Sequence, residues 1–301
     1  MFPKILQGKK VVDFSRLLPG PLASDILIKL GAEVVCIVPK EGDPILGNYS
    51  PFFNLREGKQ FLELDLKNAQ DLARAKKLIS ESHLLLEGFR PGAMDRLGLG
   101  FEEAKKLSKN LIYVSFNGYG PDHAKFKMGA HDLNFLIDSG VYSLIFSDDA
   151  KEIPLIQLAD VVGGFYGAFL ILASFIEQSH HPQAKHLRVI FVEALELLSR
   201  YLKDPSVLSL AHMLTGDVSR YRIYYSKDKK RIMVGAIEPK FYQQLLDTLG
   251  IKFEDSEEEP SRIAKIEEAF ANKTLEEWEK LFCGVDACIS FIPSRNEVLC
   301  S

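Results

Sequence analysis

Lys10-Val-Val-Asp-Phe-Ser15, then Leu17-Leu-Pro-Gly-Pro-Leu-Ala-Ser24, then Ala32-Glu-Val-Val-Cys-Ile-Val38 is the stretch that decides the fold. The first segment reads as a short strand, the Pro- and Gly-bearing turn launches a helix over 25–30, and Gly31 ends it. Residues 32–38 are the next strand. This β–turn–α–β order begins a parallel, doubly wound sheet, in which ligands gather at the carboxyl ends of strands. No G-x-G-x-x-G follows the first strand, so a nicotinamide dinucleotide is not supported.

Moving outward, 39–53 reads as a polar loop, and 56–67 as a strand with basic residues at either end, Arg56 and Lys67. Apolar spacing predicts helices over 68–80 and 101–108. Strands are expected at 82–88 and from Leu111. Lys67, Arg90 and Arg96 are each ordinary surface charges when taken singly, but all three follow strands, where a ligand would lie.

Two chemically distinctive residues stand between Gly129 and Glu177: the imidazole His131 and the carboxylate Asp160. An apolar run from Val161 to Ile176, with Gly163, Gly164 and Gly167 on its first turns, reads as a buried helix that touches another backbone closely. It is short for a membrane span and flanked by Asp160 and Glu177, so a core helix is the expectation. Asp160 is placed at its N-cap, where orphan N–H groups and the helix dipole favour the ionised form.

Beyond it, 178–186 reads as a solvated turn whose histidines match no metal-ligand spacing. Residues 188–201 are strand or helix in character and then helical, and 203–220 is a less periodic linker. A β-hairpin over 221–237 with its turn at 227–230, a helix starting at Glu238-Pro239, an acidic loop over 254–259 and helices over 262–270 and 274–282 complete the second part. The 301 residues carry a net charge of −4, which gives no reason to expect nucleic acid or an anionic membrane. Four cysteines without paired spacing point to a reducing compartment and no structural metal, and without a secretory leader the cytoplasm is the default.

The motifs Ser15-Arg-Leu-Leu-Pro-Gly-Pro-Leu-Ala, Arg56-Glu-Gly-Lys, Leu64-Asp-Leu-Lys67, Glu87-Gly-Phe-Arg-Pro-Gly, Arg96-Leu-Gly-Leu-Gly, Gly118-Tyr-Gly, Ala130-His-Asp-Leu-Asn-Phe and Leu158-Ala-Asp occur in this order. The series resembles the family III CoA-transferase superfamily, and within it the α-methylacyl-CoA racemases. Val234-Gly-Ala-Ile-Glu-Pro-Lys-Phe-Tyr, Thr274-Leu-Glu-Glu-Trp and Asp286-Ala-Cys extend the likeness. The resemblance implies an α/β fold: a Rossmann-like parallel-sheet CoA-binding domain over 1–200, a linker over 201–220, and a smaller α+β domain over 221–301, in an interlocked homodimer. It implies an acyl-CoA thioester as partner, with no separate cofactor, and a place in fatty acid metabolism. The implied CoA contacts are Leu64, Asp65, Leu66, Lys67, Gly88, Phe89, Arg90, Arg96, Ala130, Asp132, Leu133, Asn134 and Phe135.

The implied reaction inverts the α carbon of a 2-methylacyl-CoA, with His131 and Asp160 as proton carriers on opposite faces and Glu238 orienting His131. Each carrier must act as acid and base in turn. Protonated Asp160 is needed on one stroke, so desolvation is expected to offset the helix dipole. The helix N-terminus could instead donate N–H groups to the enolate oxygen. A CoA-transferase with Asp160 as nucleophile is a second reading. A truncated CoA binder without catalysis is a third, because three features depart from the racemases. No arginine follows the strand 32–38, leaving Lys40 as the nearest substitute; the Thr-Gly-x-Gly-Gln turn is absent after Glu177; and the chain stops where relatives continue with a return segment.

Overall fold

The computed structural model describes residues 2–40, 55 and 57–300. The expected loop beyond Lys40 and the Arg56 end of the expected strand lie outside the described residues. The chain divides into two compact units, Met1–Arg200 and Tyr201–Ser301.

The first unit runs β1 (Lys10–Asp13), α1 (Pro19–Lys29), β2 (Glu33–Val38), β3 (Gln60–Glu63), α2 (Ala69–Ser80), β4 (Leu84–Glu87), α3 (Ala93–Arg96), α4 (Phe101–Leu107), β5 (Ile112–Asn117), α5 (Asp132–Asp138), α6 (Val141–Ile145), α7 (Leu158–His180), β6 (Lys185–Ile190) and α8 (Phe191–Ser199). Its six strands are all parallel, in the order β3-β2-β1-β4-β5-β6. The order reverses between β1 and β4, and the carboxyl ends of those two strands form the crevice of a doubly wound sheet.

Alternation along β1 explains the two cores. Val11 points into a cluster with Leu84, Ile112, Ala23, Leu27 and Ile171, under α1 and α7. Val12 points into the opposite cluster with Leu85, Tyr113, Ala75, Ile79 and Ala104, under α2 and α4. Successive strand residues face opposite sides, so a sheet covered on both faces needs apolar residues at both phases.

The glycines of α7 do what their spacing predicts. A Cβ built on Gly164 would lie 3.0 Å from the Pro19 carbonyl oxygen of α1 and 2.9 Å from Leu22. Cβ atoms on Gly163 and Gly167 would lie 2.5 Å from the Phe191 ring and 2.6 Å from the Phe116 ring. The helix therefore packs directly on α1 and on the sheet. It differs from expectation in two ways. It starts at Leu158, because Ala159 is fully buried and draws the chain into the core before Asp160; Gln157 is the N-cap and Asp160 lies in the first turn. Its run is also not wholly buried, since Phe165, Phe169 and Ile176 leave an exposed stripe. By length and composition alone it is the one helix among the described residues apolar enough to cross a membrane.

Other elements shift for local reasons. α1 starts at Pro19 rather than Asp25, since the fixed φ of proline suits a first helical turn. The strand expected over 56–67 is confined to β3. The solvated turn expected at 178–186 is mostly ordered, as α7 continues to His180 and β6 begins at Lys185. His186 is therefore a sheet residue, stacked on Phe101 at 5.1 Å and edge-on to Tyr113 at 5.0 Å. Burial lowers its pKa to about 4.

A 3-10 turn over Arg200–Lys203 spans the boundary between the units, and the second unit continues with α9 (Pro205–His212). The stretch expected to be linker thus carries a helix, capped by the Asp204 side chain on the Ser206 N–H with Pro205 in its first turn. There follow β7 (Tyr221–Tyr225), β8 (Arg231–Gly235), α10 (Pro239–Leu249), α11 (Glu259–Phe270), α12 (Leu275–Leu281), β9 (Ile289–Phe291) and α13 (Arg295–Cys300). α11 starts earlier than the expected 262, taking in Glu259 from the acidic stretch. The antiparallel sheet β7-β8-β9 packs on these helices through Tyr224, Ile232, Val234, Leu245, Phe270 and Trp278.

The contact between α7 and α1 yields a direct test. Valine at Gly164 would collide with α1 backbone, which cannot yield as a side chain can, so Gly164→Val should destabilise the chain by about 3 kcal/mol in urea unfolding. An unchanged or raised midpoint would refute the close packing, because valine is the better helix former.

Candidate functional site

Three cavities follow the carboxyl edge of the parallel sheet. The central one, about 490 Å3, is lined by Ser15, Arg16 and Leu17 after β1, by Gly88, Phe89 and Arg90 after β4, and by His131 and Asp160. A groove of about 410 Å3 over β2 and β3 is lined by Lys40, Leu64, Asp65, Leu66 and Lys67, and shares Arg16 and Phe89 with the central cavity. A third cavity, about 550 Å3, lies toward β6 and is lined by Arg96, Lys127 and Arg188, sharing Arg90 with the centre.

The turns that build the central cavity are held from beneath. Buried Asp13, ending β1, accepts the Ser15 N–H at 2.8 Å and also takes the Ser15 hydroxyl. The turn then passes through Leu17 at φ 63°, a left-handed conformation that costs a non-glycine residue energy and that the surrounding packing sustains. Glu87 does the same service after β4, accepting the Phe89 N–H at 2.8 Å; burial raises its pKa. Arg90 lies against the backbone near His131, since a Cβ on Gly129 would stand 2.8 Å from its Nη2. Gly118 is likewise required, because a Cβ there would overlap the Phe135 ring.

His131 is the N-cap residue of α5, exposed to the cavity, and its backbone N–H is accepted by Asn134 Oδ1 at 3.0 Å. Asp160 approaches from the first turn of α7. The residue that caps this helix is Asp132, whose Oδ1 accepts the Asp160 N–H at 3.0 Å and whose carboxylate also bonds the Ala159 N–H. The capping role expected of Asp160 thus belongs to Asp132. With these N–H groups occupied, they are not donors for an enolate oxygen. Burial, and then the charge of Asp132, push the Asp160 carboxyl up to about 7. Asp160 can therefore hold or release a proton near neutrality.

Of the residues singled out in the sequence, His131, Asp160, Gly88, Phe89, Arg90, Ala130 and Phe135 line the central cavity. Leu64, Asp65, Leu66 and Lys67 line the β2–β3 groove, and Arg96 the third cavity. Asp132, Leu133 and Asn134 form the first turn of α5, with Leu133 packed on the core. Glu238 heads α10 in the second unit, its carbonyl accepting the Tyr242 N–H at 3.1 Å. Arg16 was not singled out by sequence reasoning. It stacks its guanidinium on Phe89 at 5.3 Å and keeps a buried Nε without a hydrogen-bond partner. The signal was present, since Arg16 follows β1 as Arg90 follows β4. Lys40, by contrast, is tied to Asp71 at 2.6 Å.

Comparison with known proteins shows the family and the fold. The model of CoA-transferase family III matches residues 6–301. The chain is 33% identical to human alpha-methylacyl-CoA racemase, over 98% of this chain and 79% of the relative. It is 27% identical to the probable fatty acyl-CoA transferase Rv3272 of Mycobacterium tuberculosis, over 95% of this chain and 82% of that one. The crystal structure of Rv3272 superimposes with a TM-score of 0.83 at 25% identity, covering 100% of this chain and 87% of that chain. A CAIB/BAIF family protein from Brucella suis shares the fold, with a TM-score of 0.81 at 20% identity, covering 99% and 86% of the two chains.

The raised pKa of Asp160 has a thermodynamic signature. The folded chain keeps this proton to about pH 7, whereas the ordinary value is 3.8, so its contribution to stability falls as pH rises between those values. Asp160→Asn should therefore be more stable than the parent by about 2 kcal/mol at pH 8, with the advantage gone at pH 4. Thermal unfolding of both chains across this range checks it, and a gain independent of pH would refute the assignment.

Proposed function

With the chain belonging to CoA-transferase family III, we propose that it inverts the configuration of the α carbon of 2-methylacyl-CoA thioesters by two-base proton transfer between His131 and Asp160. The single observation that carries this reading is the pairing of an imidazole with a carboxyl that titrates near neutrality on one cavity. An α proton of a thioester is weakly acidic, and its removal is matched best by a carrier whose pKa lies near the working pH. One carrier takes the α proton, the electron pair moves onto the thioester carbonyl as an enolate, and the other carrier returns a proton to the opposite face. Both directions then run on the same two groups in exchanged roles.

A carboxylate acting as a nucleophile in CoA transfer has to be ionised when it attacks, and a carboxyl raised to about 7 is a poorer candidate for that role than for proton transfer. Glu238 enters as the orienting partner of His131 on the sequence resemblance. Assembly as a homodimer rests on the same ground. The thioester's CoA portion is assigned to the groove of Leu64 to Lys67, with Arg16 between groove and cavity as a charged donor to its phosphates.

Incubation of the whole chain with a 2-methylacyl-CoA in deuterated water should label the α carbon. His131→Ala and Asp160→Ala should each lower the rate by at least about a hundredfold. A chain that binds CoA yet incorporates no deuterium would sink the proposal, and a covalent thioester between CoA and Asp160 found by mass spectrometry would favour acyl transfer instead. Arg16→Met, which keeps the apolar stem over Phe89, should weaken CoA binding about tenfold in calorimetry. Unchanged affinity would remove Arg16 from the phosphate site.

A further inference from the structure

Asp132 and Asp160 belong to helices far apart in sequence, yet the first residue of α5 holds the first turn of α7. Asp132 directly follows His131, and its Oδ1 accepts the Asp160 N–H at 3.0 Å. Any short polar side chain with an acceptor oxygen would satisfy those orphan N–H groups; asparagine and serine cap helices as well as aspartate does. What aspartate alone adds is a second carboxyl that can carry negative charge beside that of Asp160, both of them half-buried and both raised by burial. Two carboxylates in one desolvated site resist ionising together.

Other titratable or charged groups on the elements around this turn are His131 at the head of α5, Asp138 near its end and paired with Lys125, Arg16 after β1, Arg90 after β4, Asp25 and Lys29 paired on α1, and Glu196 and Glu193 on α8, the latter against Gly120. His131, Arg16 and Arg90 line the same cavity. Of all these groups, Asp132 is the one hydrogen-bonded to the peptide of Asp160 itself.

We propose that Asp132 is a positioning residue with two separable actions: its oxygen fixes the backbone at Asp160, and its carboxylate sets a like charge beside the Asp160 carboxyl. The proposal rests on reading Asp160 as a proton carrier. It carries a consequence for reaction type. Relieved of the neighbouring charge, Asp160 is raised by burial alone, ionises at lower pH and is the better suited to attack on a thioester carbonyl, whereas one held beside Asp132 is the better suited to moving protons. The residue after the catalytic histidine thereby sorts between the two chemistries that a carboxyl at this position can perform.

Asp132→Asn separates the two actions, because the amide oxygen still accepts the N–H while the charge is gone. The readout is modification of Asp160 in the full chain by a water-soluble carbodiimide with glycine ethyl ester, followed by peptide mass spectrometry from pH 5 to pH 9. Carbodiimide reacts with protonated carboxyls, so the pH profile reports the titration of Asp160 without any turnover. The parent chain should lose reactivity around pH 7, and the variant at least about one unit lower, with at least about fivefold less modification at pH 7. Asp132→Ser, which also caps, should shift in the same direction.

Coincident profiles in the parent and in a folded variant would reduce Asp132 to a helix cap and overturn the proposal. Failure of both variants to melt cooperatively would overturn it too, by showing that the charge is needed for folding itself. If the profile shifts but no α-deuterium is incorporated by the parent, the racemase reading fails while the control of Asp160 by Asp132 stands.

Discussion

The close approach of α7 to α1 is the contact on which the site depends. Gly164 sits within 3.0 Å, measured from a would-be Cβ, of the Pro19 carbonyl oxygen, and Pro19 itself opens α1 at the edge of the central cavity. Because α7 lies so low on the sheet, its first turn reaches the carboxyl ends of β1 and β4. Asp160 is delivered there by backbone geometry, with no dependence on a flexible loop. A helix with alanine or valine at Gly163, Gly164 and Gly167 would stand further off and lift the carboxyl out of the crevice.

That placement also accounts for the electrostatics. A carboxyl in the first turn of a helix ordinarily gains from free N–H groups and from the dipole. Here Asp132 has taken the N–H groups, and its own charge opposes that of Asp160. Burial then decides the balance, and the acid is poised near neutrality. Around it, the turns after β1 and β4 are braced by Asp13 and Glu87, so the cavity wall is set by backbone N–H groups donating to buried carboxyl groups.

Much of this was legible in the sequence. The parallel sheet followed from strand, turn, helix and strand over 10–38; the close-packed helix followed from its three glycines; and the strand-end placement of Lys67, Arg90 and Arg96 followed from chain order. What remained hidden has physical causes. The start of α7 moved because buried Ala159 lengthened it, which no cap preference foretells. His186 looked solvated among Gln178 to His186 because its aromatic partners, Phe101 and Tyr113, are remote in sequence. Helix α9 was missed because its apolar spacing is short, though Asp204-Pro205 marked its start. The partnership of Asp132 with Asp160 required tertiary structure, since a side chain capping a different helix leaves no local pattern.

His186, on β6, has a further consequence when set beside Asp160. Unfolding lets the imidazole take up a proton over the interval from its native value of about 4 to its ordinary 6.5, while it makes the Asp160 carboxyl release one between about 7 and 3.8. The two exchanges are opposite in sign and overlap almost completely, so in mildly acidic solution the proton stoichiometry of unfolding from this pair is close to zero. Two strongly perturbed groups thereby conceal one another, and the contribution of this pair to stability stays nearly level where either residue alone would give a slope.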